Sequence, residues 1–194
     1  LVAACNNVVE DGMEIFTNTP KVQSARRTNV ELILSQHDFR CATCVRGGNC
    51  NLQKLARELN IIEIPYKIEV EEHPWDASYP LIRDAAKCIK CMRCVQVCDK
   101  IQTMGVWDII NTGKRTSVST VDMQDIQAMD CALCGQCITH CPTGALRERN
   151  DTVKVMDAIM DPEQIVIAQI APAVRVAWGE GFGLTAEEAT VGKM

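Results

Sequence analysis

The twelve cysteines are Cys5; Cys41, Cys44 and Cys50; Cys88, Cys91, Cys94 and Cys98; and Cys131, Cys134, Cys137 and Cys141. The last two groups repeat one pattern. CIKCMRCVQVC at 88–98 and CALCGQCITHC at 131–141 both read C-x2-C-x2-C-x3-C, and the second begins 43 residues after the first. A cubane iron–sulfur cluster needs thiolates at four iron corners, and three cysteines spaced by two residues wrap one face of it in a tight loop. The fourth cysteine falls on the short helix that leaves the loop and serves the other cluster. The expected assignment is therefore crossed. Cys88, Cys91 and Cys94 join Cys141 around one [4Fe–4S] cluster, and Cys131, Cys134 and Cys137 join Cys98 around a second. Gly135 removes a Cβ where backbone amides must approach sulfide, and Pro142 stops the second helix after its last ligand. Asp99 stands where the first run would carry that proline.

Zinc and disulfides are the competing uses of cysteine. Structural zinc takes pairs of C-x2-C for a four-ligand tetrahedral site, which leaves the third cysteine of each run idle. Disulfides need an oxidising compartment and do not favour a duplicated eleven-residue pattern. The remaining group reads H-x3-C-x2-C-x5-C from His37 through Cys41 and Cys44 to Cys50. Three cysteines are one short of a cubane, and His37 is the nearby candidate for the fourth corner. A neutral imidazole in place of a thiolate leaves a cluster less negative, so this third [4Fe–4S] site should reduce more easily. Around the first ferredoxin-type loop, Lys87, Lys90, Arg93 and Lys100 add positive charge. The second loop has Asp125 and Asp130 before it and no cation between its ligands. Positive charge favours the more negative reduced state, so the first of the pair should have the higher potential. A solvated rim that docks a donor would use the same residues. His140 and His73 read as a neighbour of the second site and a loop residue.

The elements that must position these ligands follow from local signals. Thr19 is an N-cap with Pro20 in the first turn, and Val22, Ala25, Val30, Ile33 and Leu34 roughly follow helical spacing towards His37. Gly47-Gly48 lets the loop close before an amphipathic helix over 51–59, with Leu52, Leu55, Ala56 and Leu59 on one face. An extended run or strand covers Ile61–Val70, and residues 73–76 form a turn. Val106–Ile110 and Ser117–Val121 flank Asn-Thr-Gly-Lys as a hairpin. A short helix near 151–160 precedes a buried strand at Ile165–Ile170, and Pro172 opens a further helix. The expected class is α+β, with small iron–sulfur modules in series.

Composition narrows the function classes. The 194 residues carry 47% hydrophobic and only 4% aromatic side chains, with a net charge of −5. That charge argues against nucleic-acid binding. Twelve cysteines fall below the roughly 8–10% of a disulfide scaffold. Gln169 and Arg175 interrupt the longest apolar stretch, so no membrane span is expected. Reduced thiolates point to the cytoplasm. Leu1 in place of an initiator methionine, and Val191–Met194 without a helix stop signal, read as an internal piece of a longer chain.

The order of these motifs resembles the accessory electron-transfer half of the iron-only ([FeFe]) hydrogenases, along essentially the whole chain. Leu1–Cys5 followed by Glu10–Met13 looks like the tail of that family's plant-ferredoxin-type [2Fe–2S] domain, with Cys5 as its last ligand. Ala171–Gly183 resembles the opening of the catalytic domain, and Val191–Met194 fits the helix start soon after it. The family's active-site cysteines lie beyond that point, and none is present in this sequence. The resemblance implies four segments: a [2Fe–2S] domain remnant at 1–18, a histidine-ligated [4Fe–4S] module at 19–76, a two-cluster ferredoxin-like module at 77–149, and a linker with the catalytic-domain start at 150–194. It also implies an oxidoreductase acting on hydrogen. Its partners would be ferredoxin or an NAD(P)H-oxidising flavoprotein subunit, and the hydrogen-activating cluster would sit in the full-length parent. The large iron–sulfur subunit of respiratory complex I and some formate dehydrogenases share the histidine-containing site. The double ferredoxin run disfavours the former, and the segment at 165–183 disfavours the latter. A non-catalytic electron-transfer subunit or input arm of such a complex is the alternative reading.

Overall fold

The structure is a computed structural model, and it describes residues 1–185 and 187–189. The chain divides into two compact units, Leu1–Arg149 and Asn150–Met194. In the first unit, residues 1–18 form no helix or strand and are almost wholly exposed. Helix α1 then spans Pro20–Leu34. The Thr19 hydroxyl accepts from the Val22 N–H at 3.3 Å, and Pro20 occupies the first turn, where a missing N–H costs nothing. Val30 and Leu34 turn inward against Leu52 of α2 (Asn51–Glu58), so the two helices share a small apolar core. Ile89 of the first ferredoxin-type loop packs against the same core.

The larger core belongs to the cysteine repeat. Strand β1 (Leu81–Arg83) pairs antiparallel with β4 (Leu146–Glu148), Leu81 opposite Glu148 and Arg83 opposite Leu146. Between them lie helix α3 (Arg93–Gln96), the hairpin of β2 (Trp107–Ile110) and β3 (Ser117–Thr120), and helix α4 (Gln136–His140). Val106, Trp107, Val118, Ile126, Ala145 and Leu146 fill the interior together with Cys98 and Cys141. Thiols therefore take up core positions that larger apolar side chains would otherwise occupy, in keeping with the low aromatic content.

Several local expectations change. Residues 61–70 form neither helix nor strand and bend at Tyr66, although the Glu69 N–H donates to the Ser35 carbonyl at 2.8 Å. The turn expected at 73–76 lies a few residues later, closed by the Tyr79 N–H on the Asp76 carbonyl. Trp75 instead stacks on Trp107, 5.8 Å between ring centres, and its indole N–H donates to the Leu81 carbonyl. Cys98 sits not on a regular helix but in the wider π-type turn Val97–Ile101 that extends α3.

In the second unit, α5 covers Thr152–Met160 and α6 covers Pro172–Gly181. The buried strand expected at Ile165–Ile170 does not form: Ile165 is 92% exposed and Ile167 85%. A strand exists only through a partner strand, and no described segment pairs with this one. The helix start expected at Val191–Met194 lies outside the described residues. Among those described, no helix is long and apolar enough to cross a membrane.

Candidate iron–sulfur centres

The sequence repeat is a backbone repeat. Lys90 and Leu133, 43 residues apart, both take left-handed conformations (φ 56° and 52°), as do Met92 and Gly135 (φ 60° and 71°). Each pair brackets the second cysteine of its run and turns the chain so that α3 or α4 can start. Gly135 meets this geometry without strain, whereas Met92 adopts it with a side chain. Exposure follows the same symmetry. Cys91 and Cys134 are exposed, Cys88, Cys94, Cys131 and Cys137 are half-buried, and Cys98 and Cys141 are buried.

The last cysteine of each run crosses to the other loop. Cys141 lines a cavity with Cys88, Cys91 and Cys94, and Cys98 lines another with Cys131, Cys134 and Cys137. The second cavity measures about 230 Å³. The first is nearly closed at about 20 Å³, so the fit there rests on the donor set and the loop backbone. Trp107 lines both cavities. The Cys98 sulfur accepts from the Val106 N–H, and the Cys88 sulfur from the Lys90 N–H, each at 3.4 Å. Such N–H···S bonds stabilise negative sulfur and tune cluster potential.

The third cavity, about 670 Å³, is lined by His37, Cys41, Cys44 and Cys50. His37 follows α1 by one short turn, its N–H on the Leu34 carbonyl at 3.0 Å, and it is 7% exposed. Its Nδ1 is buried with no hydrogen-bond partner, an orphaned donor atom of the kind a metal would satisfy. Burial, with help from nearby Lys87, lowers its pKa and keeps the ring neutral, the form that ligates. The far wall comes from the segment that follows Cys141: a Cβ on Gly144 would lie 2.6 Å from the Cys44 sulfur. A side chain there would collide with the Cys44 thiol and crowd Val45 Cγ2 at 3.3 Å. Arg46 donates to the carbonyls of Ile138 and Cys141, and Lys87 bonds both Asp38 and Asp84 at 2.8 and 3.0 Å. The Arg40 and Lys87 side chains hold the Asp38 carboxyl well below the usual carboxylate range. The segment Cys141–Gly144 thus serves two cavities at once.

Among the described residues, no three His, Cys, Asp or Glu side chains converge on a single-ion site. All twelve cysteines are unpaired thiols. Burial pushes Cys94 up to about 12 and Cys137 up to about 11, and it raises Cys88 as well. These thiols hold their protons at neutral pH unless iron displaces them. Cys5 lies exposed in the segment without secondary structure. His73 contacts Glu71, and His140 bonds the Gln136 carbonyl, so neither faces a candidate site. The sequence reading missed Arg83, which is 6% exposed and lines the cavity of Cys88, Cys91, Cys94 and Cys141.

Comparison with known proteins places these sites in a class. Residues 26–65 match the iron–sulfur binding region of the NADH-ubiquinone oxidoreductase G subunit, and residues 87–145 match the 4Fe–4S dicluster domain. The chain is an iron–sulfur protein region of the kind found in hydrogenases and NADH oxidoreductases. Over its full length it is 40% identical to the NADP-reducing hydrogenase subunit HndD of Solidesulfovibrio fructosivorans, covering 33% of that protein. Iron hydrogenase 1 of Clostridium pasteurianum is 33% identical over 95% of this chain and 32% of its own length. The chain is homologous to the N-terminal iron–sulfur region of these hydrogenase subunits, and it spans about a third of their length. The alpha subunit of an NADPH-Fe(3+) oxidoreductase from Geobacter sulfurreducens is 34% identical over 75% of this chain and 17% of its own. A chain in the crystal structure of an NAD+-reducing [NiFe]-hydrogenase in the H2-reduced state shares the fold. Its TM-score is 0.70 at 23% identity, over 76% of this chain and 64% of that one.

Proposed function

We infer that this chain is the electron-relay portion of an [FeFe]-hydrogenase, carrying electrons between an outside carrier and the hydrogen-activating centre of a longer protein. The observation that carries the reading is the gathering of His37 and eleven cysteines into three four-donor sets within one unit. His37, Cys41, Cys44 and Cys50 would hold one [4Fe–4S] cluster. Cys88, Cys91, Cys94 and Cys141 would hold a second, and Cys131, Cys134, Cys137 and Cys98 a third. Bound clusters supply one-electron redox chemistry. The protein residues fix the donors, exclude water from the inner cysteines Cys98 and Cys141, and supply N–H groups to sulfur. Residues 19–76 and 77–149 would be the two cluster modules. Residues 1–18, with Cys5, would close a [2Fe–2S] domain, and 150–194 would lead into the catalytic domain. The carrier would be ferredoxin or an NAD(P)-linked flavoprotein subunit, and hydrogen would be the substrate of the whole enzyme, in the cytoplasm.

The match to an NADPH-Fe(3+) oxidoreductase favours one other reading, an electron-input arm without hydrogen chemistry. The hydrogenase relatives align along the full chain or 95% of it and that oxidoreductase along 75%, which supports the hydrogenase. Anaerobic reconstitution should give about twelve iron and twelve sulfide per chain, with three reducible S = 1/2 species by electron paramagnetic resonance. About eight of each would remove the histidine site, and zinc in place of iron would end the reading.

A further inference from the structure

Arg83 is a buried cation without a buried anion. Strand alternation places it on the same face of β1 as Leu81, and both are buried, Arg83 at 6% exposure and Leu81 at 5%. Among the described residues its side chain hydrogen-bonds the Ser117 hydroxyl alone, at 3.2 Å, and none of the ion pairs includes it. A guanidinium keeps its charge even when desolvated, so burial without a counter-charge is costly. Its side chain borders the cavity of Cys88, Cys91, Cys94 and Cys141. The carboxylates that act on its charge, Glu71 and Asp84, are neither of them buried, and Asp84 is already paired with Lys87.

The lysines that flank this loop in sequence are occupied elsewhere. Lys87 is neutralised by Asp38 and Asp84, Lys100 pairs with Asp99, and Lys90 reaches Gln36 and the Lys114 carbonyl. Arg93 is exposed, where water and salt screen it. The cavity of Cys98, Cys131, Cys134 and Cys137 has no lysine or arginine among its described lining residues and includes Glu148. The two halves of the repeat thus match in backbone and differ in buried charge.

We propose that Arg83 is the counter-charge of the cluster held by Cys88, Cys91, Cys94 and Cys141, and that it sets the reduction potential of that cluster above that of its twin. The assignment rests on the ligand sets given under Proposed function. A fixed cation in a low-dielectric site stabilises the reduced, more negative cluster more than the oxidised one. Arg83 is a positioning and tuning residue, and it ligates nothing.

The test is a potentiometric titration followed by electron paramagnetic resonance on the reconstituted chain, wild type beside Arg83→Gln and Arg83→Lys. The Gln variant should lower the midpoint of one ferredoxin-type cluster, with a loss of about tenfold in preference for the reduced state, about 59 mV for one electron. The Lys variant should stay close to wild type, and the other two clusters should not move. An unchanged midpoint in Arg83→Gln at full iron content overturns the proposal, as does an equal fall in both variants, which would report packing. Should the Gln variant fail to hold iron, Ser117→Asp decides, because it sets a carboxylate beside Arg83 without removing it. A fall in the same midpoint supports the proposal, and no fall overturns it. Wild-type protein that takes up no clusters would overturn the ligand sets as well. Loaded clusters with unmoved potentials would overturn the role of Arg83 alone.

Discussion

His37 is the one nitrogen donor among eleven sulfurs in the three candidate sites, and its surroundings keep it available. The ring is buried, neutral and unpartnered at Nδ1, with Cys41, Cys44 and Cys50 around the same cavity. Restoring a thiolate should make the site more negative without removing a corner. His37→Cys is therefore expected to keep about four iron at this site and to lower one midpoint potential, leaving the ferredoxin-type pair unchanged. An electron paramagnetic resonance titration reads both quantities, and an unmoved set of potentials would take His37 out of the ligand set. The residues gathered in the cavities were legible in the sequence because ligand spacing is local. Arg83 was not: its burial comes from the pairing of β1 with β4, and its partner Ser117 is 34 residues away on the hairpin. Lys87 looked like a tuner in part because one of its two carboxylate partners, Asp38, lies 49 residues away in sequence.

At the scale of elements, capped helices and the hairpin were read from residues a few positions apart, and they form where expected. Pairing over longer separations was less legible. The apolar run Ile165–Ile170 has strand composition but no paired neighbour, whereas the three-residue β1 forms because β4 lies against it. The close contact between loops is also a long-range feature. Gly144 belongs to the segment that joins α4 to β4, yet it forms the wall behind Cys44. Gly144→Ala places a methyl group against that sulfur. The expected outcome is loss of the histidine-site cluster, from about twelve to about eight iron per chain, with the ferredoxin-type signals retained. An iron assay with paramagnetic resonance checks this, and full iron content would show that the Cys44 loop yields freely.

At the scale of the whole molecule, the interior of the first unit contains cysteine thiols where other proteins carry large apolar side chains. Cys98 and Cys141 lie at the centre of the main core, with Cys88, Cys94, Cys131 and Cys137 packed against it. Cluster binding should then be part of the folding free energy of residues 77–149, as in small metal domains. Removal of iron by chelation under anaerobic conditions is expected to abolish cooperative thermal unfolding by circular dichroism. A sharp transition surviving in the metal-free chain would mean that the apolar residues suffice alone.

The shared wall at Cys141–Gly144 also bears on the making of the protein. A ribosome releases His37 to Cys50 early, but Gly144 emerges roughly a hundred residues later, on the order of 5–20 s at ordinary elongation rates. During that interval the nascent histidine site stands open on one side, its thiols accessible to oxidants and stray metals. A cofactor held by His37, Cys41, Cys44 and Cys50 would then be enclosed only after Gly144 has been made.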